Sequence, residues 1–283
     1  MRPVALLQHD ATQRPGYLLE CLDGLGVPCV TLCPDEHDPV PRQATDFSGI
    51  VLLGSEHSVH DPLPWIQAEQ ALVRDALAHD VPLLGHCFGA QLMALTLGAP
   101  VRRHAWPDIG WRRLKATPHA QTLFTPEQDI VAFNWHHDTF GIPQGAQRTL
   151  FGTHCLNKGF RLGPHLAFQC HFEVTADIVR DWCAHGRHEL AACACPSVQA
   201  HDDILAQLPH ALPRLRATAQ RVYQTWASRL PGAPCLPPQT TPTDGPRRGL
   251  VQIDAVFMRH GPHCAGPLHR VDACIDAPRR TTP

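Results

Sequence analysis

Short apolar runs and amphipathic stretches alternate along the first third of the chain. Val4 to Leu7, Val27 to Cys33 and Gly49 to Leu53 are continuous apolar runs, the pattern of strands that a parallel sheet buries on both faces. Gly16 to Leu25 suits a helix that ends at Gly26. After the punctuation of Asp61-Pro62-Leu63-Pro64, apolar residues at Trp65, Ile66, Ala68, Leu72, Val73, Ala76 and Leu77 keep helical spacing as far as His79. A further apolar run, Val81 to Leu84, leads into Gly85-His86-Cys87-Phe88-Gly89-Ala90-Gln91. This rhythm predicts an α/β fold with an open, doubly wound, mostly parallel sheet, whose sites lie at the carboxyl ends of the strands. Gly54 and Cys87 both occupy such ends.

Beyond residue 100 the texture changes. Trp111 to Lys115, Ile130 to Trp135, Thr149 to His154 and Phe160 to Leu162 read as short strands among glycine- and proline-marked turns, a small antiparallel section. Leu166 to Thr175 reads as one more strand, and Thr175 is placed to cap a helix running to Arg187. Asp202 to Arg229 is expected to be largely helical, interrupted by Pro209 and Pro213. Residues 231–283 hold ten of the 28 prolines and no long periodic segment. The expected organisation is therefore one domain over 1–230 and an irregular or disordered tail over 231–283.

The chemistry concentrates at Gly85-x-Cys87-x-Gly89. A buried strand, a sharp turn flanked by glycines and a following helix make a nucleophile elbow, with Cys87 at its apex. The positive end of the helix dipole favours a thiolate at that point. A reactive thiol needs a base, and the base needs an orienting group. His171 and Glu173, two apart in the predicted strand, would share a face, with Phe172 turned the other way into packing. Together they form a Cys-His-Glu relay.

These residues resemble the class I glutamine amidotransferases. The likeness rests on Gly85-x-Cys87-x-Gly89-x-Gln91 followed far downstream by His171-x-Glu173. Leu52-Leu53-Gly54-Ser55 is similar to the family's oxyanion strand, and Phe133-Asn134-Trp135-His136-His137-Asp138-Thr139-Phe140 to a segment of its stand-alone, GMP-synthase-like members. The resemblance covers about residues 1–230 and departs at Phe172, where many members carry proline. It implies hydrolysis of the side-chain amide of glutamine through a glutamyl thioester on Cys87. The oxyanion would be met by the backbone N–H groups of Phe88 and Gly54. Gln91, Trp135 and His136 would contact the small-molecule substrate. This half-reaction needs no metal or nucleotide cofactor.

What receives the ammonia stays open at this point. Nothing after Thr175 resembles the phosphate loop of an ATP-pyrophosphatase domain, so either a separate synthetase subunit partners the chain or it works alone on γ-glutamyl conjugates as a hydrolase or peptidase. A non-catalytic binding module on the same scaffold is the alternative from another class.

Charge and cysteine content narrow the remainder. A net charge of −2 and a pI near 6.8 supply no basic patch for nucleic acid and no polybasic membrane signal. No apolar run approaches the roughly 20 residues that span a bilayer. The twelve cysteines, with one of them in an elbow and no secretion signal in view, suit the reducing cytoplasm better than a disulfide scaffold. Cys183-x-His185-x-x-His188 with Cys193-x-Cys195 has metal-ligand residue types without the tight paired spacing of zinc sites, and reads as a solvated helix end.

Overall fold

A computed structural model describes residues 1–233 except His37, 125–129 and Ala194. The expectation for the tail therefore lies, from residue 234 onward, outside the described residues. Nine strands form one sheet in the order β2-β1-β3-β4-β9-β8-β7-β5-β6. They are β1 (Val4–Leu7), β2 (Cys29–Leu32), β3 (Gly49–Leu52), β4 (Leu83–His86), β5 (Val101–Ala116), β6 (Ile130–Phe140), β7 (Gln147–Phe151), β8 (Gly159–Leu162) and β9 (His165–Phe168). The first five in spatial order, β2-β1-β3-β4-β9, are parallel, and β8, β7, β5 and β6 continue the sheet antiparallel. This is the doubly wound, flavodoxin-like arrangement that the alternating apolar runs predict.

The central strands owe their composition to burial on both faces: every residue of β1, β3, β4 and β9 is buried. Helices α2 (Pro64–Ala78) and α3 (Phe88–Thr96) cover one face, where Leu72, Val73, Met93 and Phe88 meet Leu7, Leu52 and Leu83. On the other, α1 (Gly16–Gly24), α4 (Ala176–His185) and α6 (His201–Ala227) bring Leu18, Val179, Tyr223 and Trp226 against Leu6, Val51 and Leu84. The six-residue α5 (Arg187–Ala192) follows α4 directly. The Thr175 hydroxyl caps α4 by accepting from the Ile178 N–H at 3.4 Å. Among the described residues, no helix is long and apolar enough to cross a membrane.

Three elements differ from their sequence expectation. The strand expected over 166–175 ends at Phe168, whose carbonyl accepts the Cys87 N–H at 2.8 Å as β4 turns away. With its neighbour gone, the chain crosses to β6, where the His171 N–H donates to Phe133 O at 2.8 Å. The stretch expected as a short strand at 111–115 belongs to a 16-residue strand, because pairing with β6 runs from Val101 to Leu114 past an irregularity between Arg103 and Asp108, and Lys115 and Ala116 pair with β7. Finally, α6 continues unbroken through Pro209 and Pro213. Both prolines lie on the exposed face, where water can satisfy the carbonyls that their missing N–H groups leave behind.

Candidate active site

Four neighbouring parallel strands end together, and just past their carboxyl ends stand His9 (β1), Gly54 (β3), Cys87 (β4) and His171 (β9). The tightest of these ends is the β4–α3 turn. Cys87 has φ 49° and ψ −106°, a conformation that costs a non-glycine residue about 1–3 kcal/mol. The flanking glycines permit it. A Cβ on Gly85 would sit 2.7 Å from the Ala90 nitrogen, and one on Gly89 would run into the Leu52 carbonyl. The Gly89 N–H instead donates to Leu53 O at 3.1 Å, locking the helix start against β3. Cys87 is thereby held, nearly buried, at the head of α3, beside amides that have no partner within the helix.

Glu173 accepts a 2.5 Å hydrogen bond from His171 Nδ1, which leaves Nε2 free in the cavity that Cys87 also lines, where the resting thiol donates to Trp135 O at 3.7 Å. His171 and Glu173 meet although neither lies in a regular strand. Burial is the strongest influence on the His171 imidazolium and disfavours it, but Glu173 and Cys87 together reverse that and raise its pKa to about 10. Burial likewise opposes the Glu173 carboxylate, and His86 and His171 outweigh it, so its pKa falls below the usual range. His86 stands behind the pair. Its Nδ1 is 3.4 Å from the second Glu173 oxygen and donates to Cys170 O at 3.2 Å, and its Nε2 accepts from the Tyr223 hydroxyl at 3.2 Å. Burial, only partly offset by Glu173, lowers the pKa of this second imidazole. Phe172 points away into the core, 5.2 Å from Phe168 between ring centres.

A cavity of about 490 Å³ opens over Cys87 and His171. Of the residues expected at the substrate, Gln91, Trp135 and His136 all line it. Gln91 Nε2 donates to Asp138 O at 3.2 Å, so its amide also braces α3 against β6. The Trp135 indole N–H donates to Glu189 at 2.9 Å. His136 is held by a buried cation: Lys158 Nζ donates to Asp108 at 2.5 Å, to Asn134 at 2.7 Å and to His136 Nε2 at 2.8 Å. An ammonium can only donate, so Nε2 accepts and Nδ1–H donates to Asp138 O at 2.9 Å. Burial first, and Lys158 second, hold that imidazole neutral. His136 therefore offers a substrate its ring and no free polar atom.

Sequence reasoning did not find Lys158, Gln169, Glu189 or the buried His9–Glu69 pair. Gln169 donates to Cys87 Sγ at 3.8 Å, and Glu189 pairs with His137 at the cavity wall. No motif or spacing relates them in the sequence, and only the fold assembles them. Among the described residues, no group of three or more His, Cys, Asp or Glu is arranged to hold a metal ion. Cys193 and Cys195, weighed above with the metal-type residues, are joined in a disulfide that follows α5.

Known proteins resemble the chain in both sequence and structure. A family model described as glutamine amidotransferase class-I matches residues 16–178, more than half of the chain. The crystal structure of a glutamine amido transferase from Methylobacillus flagellatus superposes with a TM-score of 0.79 at 36% identity, covering 82% of this chain and 96% of the other. The glutamine amidotransferase-like protein YfeJ of Salmonella typhimurium is 26% identical over 200 residues, 66% of this chain and 82% of its own length. One subunit of the glutamine-hydrolyzing GMP synthase of Thermoplasma volcanium is 28% identical over 102 residues, which is 36% of this chain and about half (49%) of that polypeptide. The elbow, the sheet order and the extent of the family match agree: the chain belongs to the class I glutamine amidotransferases.

Proposed function

We propose that the chain hydrolyses the γ-amide of glutamine with Cys87 as nucleophile, His171 as base and acid, and Glu173 as the group that orients His171. The observation that carries this reading is the Glu173–His171 hydrogen bond set in one cavity with the Cys87 thiol on its strained elbow. The Cys87 sulfur, its proton passed to His171 Nε2, attacks the side-chain carbonyl carbon. The tetrahedral intermediate collapses as His171 returns that proton to the leaving nitrogen, so ammonia departs and a glutamyl thioester remains. Water, deprotonated by His171, then cleaves the thioester to glutamate and restores the thiol.

The oxyanion needs two donors in place before the reaction. One is the Phe88 N–H at the head of α3. The sequence points to Gly54 for the other, yet two fixed carbonyls favour its neighbour. Leu53 O accepts from Gly89 and Gly54 O accepts from His9, and in a trans peptide the N–H lies opposite the C=O. The Gly54 N–H is therefore turned away from the elbow helix, and the Ser55 N–H away from His9, on the side where Ser55 lines the cavity.

Ammonia would pass to an acceptor held by a separate synthetase subunit; the similarity to one component of a multi-subunit GMP synthase supports that partner. A second reading, hydrolysis of γ-glutamyl conjugates, is favoured by the cavity itself. At about 490 Å³ it runs past the thiol to Arg103, His185 and His188, with the capacity of a site for a ligand larger than a free amino acid. Release of ammonia and glutamate, measured across glutamine and a set of γ-glutamyl compounds, tests both. Cys87→Ala is expected to abolish turnover on every substrate, and full activity in that variant would refute the assignment.

A further inference from the structure

His9 and Glu69 are both fully buried, and the mechanism above gives neither a task. Glu69, on α2, accepts from His9 Nε2 with both carboxylate oxygens, at 2.9 and 3.1 Å. Across the ring, His9 Nδ1 lies 2.8 Å from Gly54 O. A carbonyl can only accept, as can a carboxylate, so the ring carries a proton on each nitrogen and forms a buried ion pair with Glu69. The Coulombic gain of such a pair roughly offsets the cost of dehydrating both ions, which makes it a poor device for stability alone. The ring also stacks on Trp65 at 5.0 Å and meets the Phe88 ring edge-on at 4.9 Å. A single imidazolium thus touches both arms of the proposed oxyanion hole: the Gly54–Ser55 peptide, and the side chain of the residue after Cys87.

We infer that His9 is a positioning residue, held by Glu69, that fixes the Gly54–Ser55 peptide with its carbonyl inward and the Ser55 N–H toward the oxyanion. This rests on the hydrolytic reading above. Without the His9 donor the Gly54 carbonyl loses a buried charge-assisted hydrogen bond, and the peptide is free to rotate toward water in the cavity. The transition state then loses a preorganised donor while the thiol and its base stay in place.

Removing His9 alone would strand the Glu69 charge in the core and endanger folding, so the informative variant is the paired H9F/E69L, which keeps an aromatic ring and removes both polar groups. Its kcat on glutamine is expected to fall about 10²-fold, the loss typical of one oxyanion donor, with KM little changed. Iodoacetamide alkylation of Cys87 passes through no oxyanion, and its rate should match that of the wild type. E69Q retains the bond from His9 Nδ1 to Gly54 O and should keep most of the activity. A wild-type kcat in H9F/E69L, or alkylation that falls in step with turnover, would overturn the inference. If the wild-type chain itself releases no ammonia, the proposed function fails instead. The inference is then decided by the Ser55 amide resonance, which must move in H9F/E69L and stay in place in E69Q; an unmoved resonance in both overturns it.

Discussion

At the scale of single residues, His171 sits between opposing influences. Burial favours its neutral form, and the carboxylate and thiol on either side favour the imidazolium strongly enough to raise its pKa to about 10 from 6.5. Two outcomes follow. The base prepares the sulfur, so Cys87 should alkylate readily at neutral pH and more slowly in His171→Ala; equal rates in the two proteins would show that His171 does not activate the thiol. Stability should also follow pH. A group whose folded pKa exceeds its unfolded pKa contributes fully below the unfolded value, and the contribution disappears as pH rises through the folded one. The thermal midpoint of the wild type is therefore expected to decline between about pH 6.5 and pH 10, and this part of the decline should be missing in His171→Ala. Parallel curves for the two proteins would mean that His171 has no raised pKa in the folded state.

At the scale of elements, the site depends on where strands stop. β1, β3, β4 and β9 end side by side, and in an open parallel sheet the crevice beyond those ends is where side chains from separate segments converge. Helices have the opposite task of covering the sheet, and α6 does so over 27 residues despite two prolines. Because Pro209 and Pro213 lie four residues apart on the exposed face, the buried face of α6, with Leu208, Leu215, Val222 and Trp226, keeps its packing. Replacing Pro213 with alanine restores a helical N–H at an exposed site, and the gain exceeds the added freedom of the unfolded chain. The expected result is about 1–2 kcal/mol of added stability with turnover unchanged, read by chemical denaturation. A loss of stability would show that the proline ring packs usefully where it stands.

At the scale of the whole molecule, the question is where the core closes. Trp226 and Leu230 lie over Gly49 so closely that a Cβ there would come within 2.5 Å of Leu230 and 3.0 Å of Trp226. The Trp226 indole N–H donates to Leu83 O at 3.1 Å, tying the end of α6 to the strand that leads into the elbow. Leu230 is the last fully packed core side chain among the described residues, and the domain boundary is proposed to lie near it. Truncation after Ala233 is expected to leave a folded protein with the glutaminase activity of the full chain. Truncation after Gln224 removes Trp226 and Leu230 and should destabilise it by several kcal/mol, since losing a buried tryptophan alone costs about 3–5 kcal/mol. Aggregation or lost turnover in the chain that ends at Ala233 would place part of the core beyond the boundary.

Much of this molecule was legible in one dimension. The continuous apolar runs specify buried parallel strands, and Gly85 and Gly89 mark a turn too tight for a Cβ, so the fold and Cys87 are local properties of the chain. His171 and Glu173 could be found because two residues at short spacing can share a face. Their meeting was foreseen on a regular strand, yet it takes place after β9 has ended, where a bond to Phe133 of β6 holds the backbone. The remaining features are non-local. Lys158 with His136, Trp135 with Glu189, and His9 between Glu69 and Gly54 join residues from 22 to 60 positions apart. No period or motif relates such pairs. They meet because the sheet order and the lengths of α2 and β6 carry them to one place, and because a buried charge is stable only where the fold supplies its partner.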